Sequence, residues 1–142
     1  MPMIDIYAAA GTFTDTHKLA TDAAALIKAV EGVPDIAMFR KNTATFIHEM
    51  PRGTMSNVDG DQNCVRVQVL TNSGALDRDK QLALVAQLTE LVATAAKDPE
   101  LKKRTWVLLT EATPGGWGLW GRAHTNEELV TAARAEMARL RG

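Results

Sequence analysis

Aromatic residues are scarce in this 142-residue chain, with three Trp, three Phe and one Tyr making up 5% of it. The core must therefore be built from Ala, Val, Leu and Ile, and an apolar content of 46% is enough to fill one domain of this length. Cysteine is nearly absent. Cys64 stands alone, so no internal disulfide framework exists and the chain suits a reducing compartment. An excess of either charge is missing too. Lys plus Arg number 16 and Asp plus Glu 17, which leaves no electrostatic footprint for nucleic acid or an anionic membrane. The one basic cluster, Lys102-Lys103-Arg104, is short and reads as a solvated loop. No apolar run of about 18 residues and no signal-peptide pattern occurs, so the expectation is a soluble, cytoplasmic protein.

What is present begins with "MPMIDIYAAAGTF". Pro2 allows two readings. Proline is tolerated as the first residue of a strand because it need not donate a ladder hydrogen bond there. Alternatively, removal of Met1 would turn Pro2 into a rigid secondary amine at a sheet edge, able to move protons.

The chain is written twice. At an offset of 63, Gly11 falls on Gly74, Leu19 on Leu82, Ala20 on Ala83, Ala23 on Ala86, Pro51 on Pro114 and Gly53 on Gly116. Each half reads as strand, glycine turn, amphipathic helix, strand and Pro/Gly turn, which is a βαβ unit with parallel strands. Thr14, Asp15 and Thr16 are candidate caps for a first helix carrying Leu19, Ala23, Leu26, Ile27 and Val30, and "VPD" at Val33–Asp35 should stop it. "TATFIHEMP" is the second strand. In the second half "CVRVQVLT" is a strand, Asp77 a cap, and Leu84, Val85, Leu88, Leu91 and Val92 the helix stripe. "TWVLLTEA" is nearly continuous in apolar residues, as in a strand covered on both faces. "GGWGLWGRAH" predicts a short hairpin or a bulged segment where another backbone approaches closely. "TNEELVTAARAEMARL" predicts a terminal helix with Thr125 and Glu128 at capping-box spacing and Leu129, Ala133, Met137 and Leu140 on one face, its expected task being packing.

The predicted architecture is thus one α/β (α+β) domain over 1–142, with pseudo-repeats at about 2–56 and 65–121 and a C-terminal helix at about 126–140. It is a four-stranded mixed sheet with both long helices on one face. The other face then lacks a cover, although Val67, Val69, Val107 and Leu109 need burial. The expectation is a closed homo-oligomer.

The "MP" start, the duplicated βαβ units, a strand ending in "TEATP" and the hairpin "GGWGLWG" together resemble the tautomerase superfamily, which includes 4-oxalocrotonate tautomerase, malonate semialdehyde decarboxylase and cis-3-chloroacrylic acid dehalogenase. The resemblance implies a MIF-like fold, a homotrimer of duplicated subunits and a cofactor-free isomerase with Pro2 as catalytic base. It also implies Trp117 as an aromatic lining the pocket and the glycine-punctuated loop as a contact to a neighbouring subunit. The family's arginine positions are not matched: depending on register they hold Thr12 or Phe13, Ala75, Ala44 and Trp106. Leu119 stands where the dehalogenase has its water-activating acid, which argues against hydrolytic dehalogenation.

A general base working near neutrality must be kept uncharged, which burial or a nearby cation achieves. Trp117 and Trp120 are candidates for the apolar wall. Arg40, Lys41 or Arg78 could supply the cation and hold a substrate carboxylate, although Arg40 in a loop and Arg78 in a first helical turn also read as solvated. Asn72, at the end of the third strand, is the candidate donor to an enolate. His48, beside Glu49, reads as a proton shuttle or as a hydrogen-bonded edge histidine. His17 and His124 make no zinc-ligand spacing with Cys64, which reads as packing, and no metal or other cofactor is expected. Competing readings are a decarboxylase or hydratase on the same scaffold, using protonated Pro2 as an acid, and a catalytically silent ligand-binding oligomer.

Overall fold

Ile4 and Ile6 alternate with Asp5 and Tyr7, and this period of two becomes strand β1 (Met3–Ala9) in the computed structural model, which describes residues 1–142. Helix α1 (Thr16–Glu31) follows, then a short helix α2 (Ala37–Lys41) and strand β2 (Ala44–Met50). The second unit runs β3 (Val65–Thr71), α3 (Arg78–Ala96), a 3-10 helix (Pro99–Arg104) and β4 (Thr105–Glu111). A hairpin of β5 (Trp117–Leu119) and β6 (Arg122–His124) leads into α4 (Asn126–Arg141). The sheet order is β2-β1-β3-β4, parallel within each unit and antiparallel where β1 meets β3. This is the predicted mixed four-stranded sheet.

Local chemistry explains the helix boundaries. Asp15, Asp77 and Thr125 each accept a hydrogen bond from the backbone N–H three residues on, at Lys18, Lys80 and Glu128, satisfying a donor that the first turn leaves free. At its far end α1 stops one residue before the predicted stretch, at Gly32, whose φ of 73° turns its N–H back onto the carbonyls of Lys28 and Ala29. Arg40 lies in α2, which the sequence pattern does not show because five residues are too few for a helical period.

The uncovered side of the sheet is the reverse of the expected one. Val67 and Val69 are fully buried under α1 and α3, together with Ile4, Ile6, Leu19, Ile27, Leu84, Leu88 and Val92, and Val107 and Leu109 pack against the same core. The open face carries Phe46, Leu70, Trp106 and Leu108, between 37% and 54% exposed. β4 is thus covered on one face only: its apolar residues occupy both parities, so composition could not say which parity faces the helices. Across this open face His48 hydrogen-bonds Asp5 at 2.6 Å and stacks on Tyr7, whose ring also carries the Arg66 guanidinium. On α4, Leu129 and Ala133 are buried and Met137 half-buried, but Leu140 projects into solvent past the end of the core.

Candidate active site

The amino terminus, the end of α1, α2, the turn after β3 and α4 meet at one end of the sheet. Pro2 is buried as it enters β1, and its carbonyl accepts the N–H of Ala44 at 3.3 Å, fixing the chain start against β2. Met1 is only 2% exposed. Its side chain packs in a second apolar cluster with Ile36, Met38, Trp117, Leu129 and Ala133, separate from the core beneath the sheet. Its ammonium group donates to Asn72 Oδ1 at 3.3 Å and lies 3.6 Å from Glu31 Oε1.

Burial depresses the affinity of this amine for its proton below the ordinary α-amine range, and the Glu31 carboxylate partly opposes that shift. Burial likewise pushes the Glu31 carboxyl above the usual carboxylate range, against the attraction of the amine and of Lys80. Lys80 Nζ is itself held by the backbone carbonyl of Glu31 at 2.8 Å. A carboxylate at the C-terminal end of a helix, where the dipole is also negative, is placed against local preference. The compensation comes from the amine beside it.

A cavity of about 510 Å³ opens from this point, lined by Met1 and Glu31, by Gly32, Val33 and Pro34 of the return loop, by Phe39, by Asn72 to Ala75, and by one side of α4. Asn72 Nδ2, a buried amide donor, has no hydrogen-bond partner within the protein. An unused donor beside an amine of lowered basicity is what stabilisation of a developing oxyanion requires.

Three residues singled out in the sequence, Pro2, Asn72 and Trp117, gather around the amino terminus. Of these only Asn72 lines the cavity itself, and Arg40, Lys41, His48, Arg78 and Trp120 lie apart from it. Arg40 is engaged with Asp35 at 3.0 Å, Arg78 is exposed at the start of α3, and Trp120 lines a different groove between α2 and α4. Trp120 and Gly121 form the hairpin turn with φ of 54° and 76°, which leaves the Trp120 ring 66% exposed and edge-on to His124. Glu31 was missed because nothing in "KAVEGVP" separates a buried helix-terminal carboxylate from a solvated one. Arg134, which lines the cavity from α4, was hidden in a helix read as packing.

No family model and no curated protein matches the sequence. Solved structures do match in fold. They include Pt0534 inactivated by 2-oxo-3-pentynoate (18% identity, 89% of this chain and 98% of that one, TM-score 0.73). They also include a wild-type fused 4-OT described as an asymmetric trimer (17% identity, 89% and 98% covered, TM-score 0.72). A third is N1, a member of the cis-3-chloroacrylic acid dehalogenase family (18% identity, 92% and 90% covered, TM-score 0.66). The chain has the fold of the tautomerase superfamily, spanning nearly the whole length of these proteins.

Proposed function

We propose that this chain, folded as the tautomerases are, is a cofactor-independent tautomerase of a small oxo- or enol-carboxylic acid, with the Pro2 amine as general base once Met1 is removed. The observation that carries this reading is the partnerless Asn72 Nδ2 beside the buried chain start. While Met1 is attached, the Pro2 nitrogen is an amide and its lone pair is unusable. Loss of Met1 frees that nitrogen and empties the space its side chain fills beside Trp117, Ile36 and Leu129, leaving room for substrate against the base. Neutral Pro2 then takes a proton from the carbon next to the substrate carbonyl. Asn72 Nδ2 donates to the enolate oxygen, and the Pro2 ammonium returns the proton at another atom, interconverting keto and enol forms. Dry apolar surroundings favour the uncharged amine.

The open sheet face supports assembly. Phe46, Leu70, Trp106 and Leu108 form an apolar patch around a polar centre, and such surfaces are covered in oligomers. A homotrimer is the assembly we assign to it, in keeping with the fused 4-OT trimers of the same fold.

The test is ketonisation of phenylpyruvate or a 2-hydroxydienoate by protein whose intact mass shows Met1 gone. Pro2→Ala should lower the rate by roughly 10²-fold, at the lower end of general-base effects because an amine remains. Equal rates would end this reading. A rate rising toward low pH would favour the decarboxylase or hydratase alternative. Labelling with 2-oxo-3-pentynoate should place the adduct on Pro2.

A further inference from the structure

We propose that Arg134 of helix α4 is the residue that binds the substrate carboxylate, holding it at the outer lip of the amino-terminal cavity with the reacting carbon turned inward. This rests on the tautomerase reading for the identity of the ligand, but on separate geometry for its placement. Among the residues lining the cavity, Arg134 is the one cationic side chain and Glu31 the one acid. The turn after β3 contributes Ser73, Gly74 and Ala75, none of them charged, so a carboxylate entering the cavity finds no cation from that side.

Arg134 is also free to act. Arg40, Arg104 and Arg122 are tied to Asp35, Asp98 and Glu128 at 2.9–3.0 Å, and Arg66 lies over the Tyr7 ring. Arg134 pairs with no acid of the chain. Helical geometry aims it correctly: Val130 four residues before and Met137 three residues after share its side of α4, and both line the same cavity. Its aliphatic stem can lie along that apolar stripe while the guanidinium offers two parallel donors to a carboxylate.

While Met1 is attached its amine does not draw the anion inward, because Glu31, its side chain only 4% exposed, already stands beside it, and once Met1 is gone no cationic side chain lines the inner end. A carboxylate pushed to the inner end would be stripped of water beside the buried Glu31 carboxyl with no cationic side chain to pair it, a costly placement for a charge. The cavity is therefore polarised, acid inside and arginine outside. An oxo-acid fits it in one direction only, with its uncharged carbonyl end toward Asn72 and the chain start. Fold relatives aside, this assigns the specificity for acids to the C-terminal helix.

The experiment is calorimetric titration of the Met1-free protein with 3-phenylpropanoate, which lacks the reactive carbonyl, and with its neutral primary amide. Arg134→Ala, at an exposed position that does not threaten folding, should weaken binding of the acid by about 10- to 100-fold, the range of a charged hydrogen-bonded pair, and leave the amide unchanged. Arg134→Lys should recover part of the loss for the acid. Failure of the wild type to bind the acid, an unchanged acid affinity in Arg134→Ala, or an equal loss for acid and amide would overturn the assignment. Wild type that binds through Arg134 yet ketonises no oxo-acid would overturn the proposed activity and leave the carboxylate site standing.

Discussion

The two βαβ units share a topology but treat the return from helix to strand differently. Both long helices end on a left-handed residue whose N–H turns back onto two carbonyls of the last turn: Gly32 in the first unit, Lys97 in the second. After Lys97 the chain closes at once. Asp98 caps the 3-10 helix, Leu101 is buried in the core, and Arg104 is fastened to Asp98 and to the Asn63 carbonyl. After Gly32 the chain instead runs through Val33 and Pro34 into α2, and that detour presents Gly32, Val33, Pro34 and Phe39 to the cavity with Glu31 beneath them. The shared βαβ topology supplies the scaffold. The candidate site arises where one unit's return stays open and borrows Asn72 from the end of the other unit's first strand.

If this holds, the halves should respond alike in the core and differ at the returns. Ile27 of α1 and Leu88 of α3 are both fully buried against the sheet. Ile27→Ala and Leu88→Ala should each cost about 2–5 kcal/mol, read by denaturant unfolding at one fixed protein concentration. A loss confined to one of the two would show that the units do not share a single cooperative core.

The helix ends should respond with opposite signs. Gly32 sits at φ 73° with no atom within 4 Å of where a Cβ would be, so Gly32→Ala costs only the left-handed backbone, about 1 kcal/mol. Lys97 already bears that strain at φ 54°, and Lys97→Gly should gain about 0.5–1 kcal/mol after the larger unfolded-state entropy of glycine is subtracted. Thermal unfolding of the two variants would check both signs. Loss in both would mean that Lys97 owes its place to side-chain contacts and not to backbone tolerance.

The features legible in the sequence are those encoded within a few residues: the caps Asp15, Asp77 and Thr125, the period-two strands, the helix stripes and the hairpin at Trp120-Gly121. Those depending on which pieces meet were not. Trp106 and Leu108 are as apolar as Val107 and Leu109, so the sequence does not mark the open face, which is set by the side on which the helices pack. Arg40 and Arg78 stand out in the sequence as cations near turns, yet proximity to the chain start depends on how α4 folds back, and that fold-back brings Arg134 to the cavity. Asn72 lies beside the chain start because β3 pairs antiparallel with β1, a pairing that the sequence pattern does not state. Glu31, at a helix end, carried no such marker.

The smallest effect concerns Glu31 and the amine it faces, and its sign follows from their two environments. Burial holds the Met1 amine below the ordinary α-amine range, and Glu31 is the group raising it. In a chain that keeps Met1, Glu31→Gln removes the raising influence and leaves the desolvation, so the amine should titrate lower still. An NMR titration of the labelled terminus would follow it, and an unchanged titration would mean that Glu31 is uncharged in the native protein. The same shifts set the stability profile. Because the amine's folded pKa is depressed, its contribution is present above about pH 8 and is lost as pH falls through the folded value. Glu31 is raised, so its contribution is full below about pH 4.3 and is lost as pH rises through its folded value. Stability of the chain that keeps Met1 should therefore sag between those limits, where both groups are asked to be charged in a poorly solvated place. Glu31→Gln should abolish the decline on the acid side and keep the recovery on the alkaline side, a difference the closed second unit has no buried pair to produce.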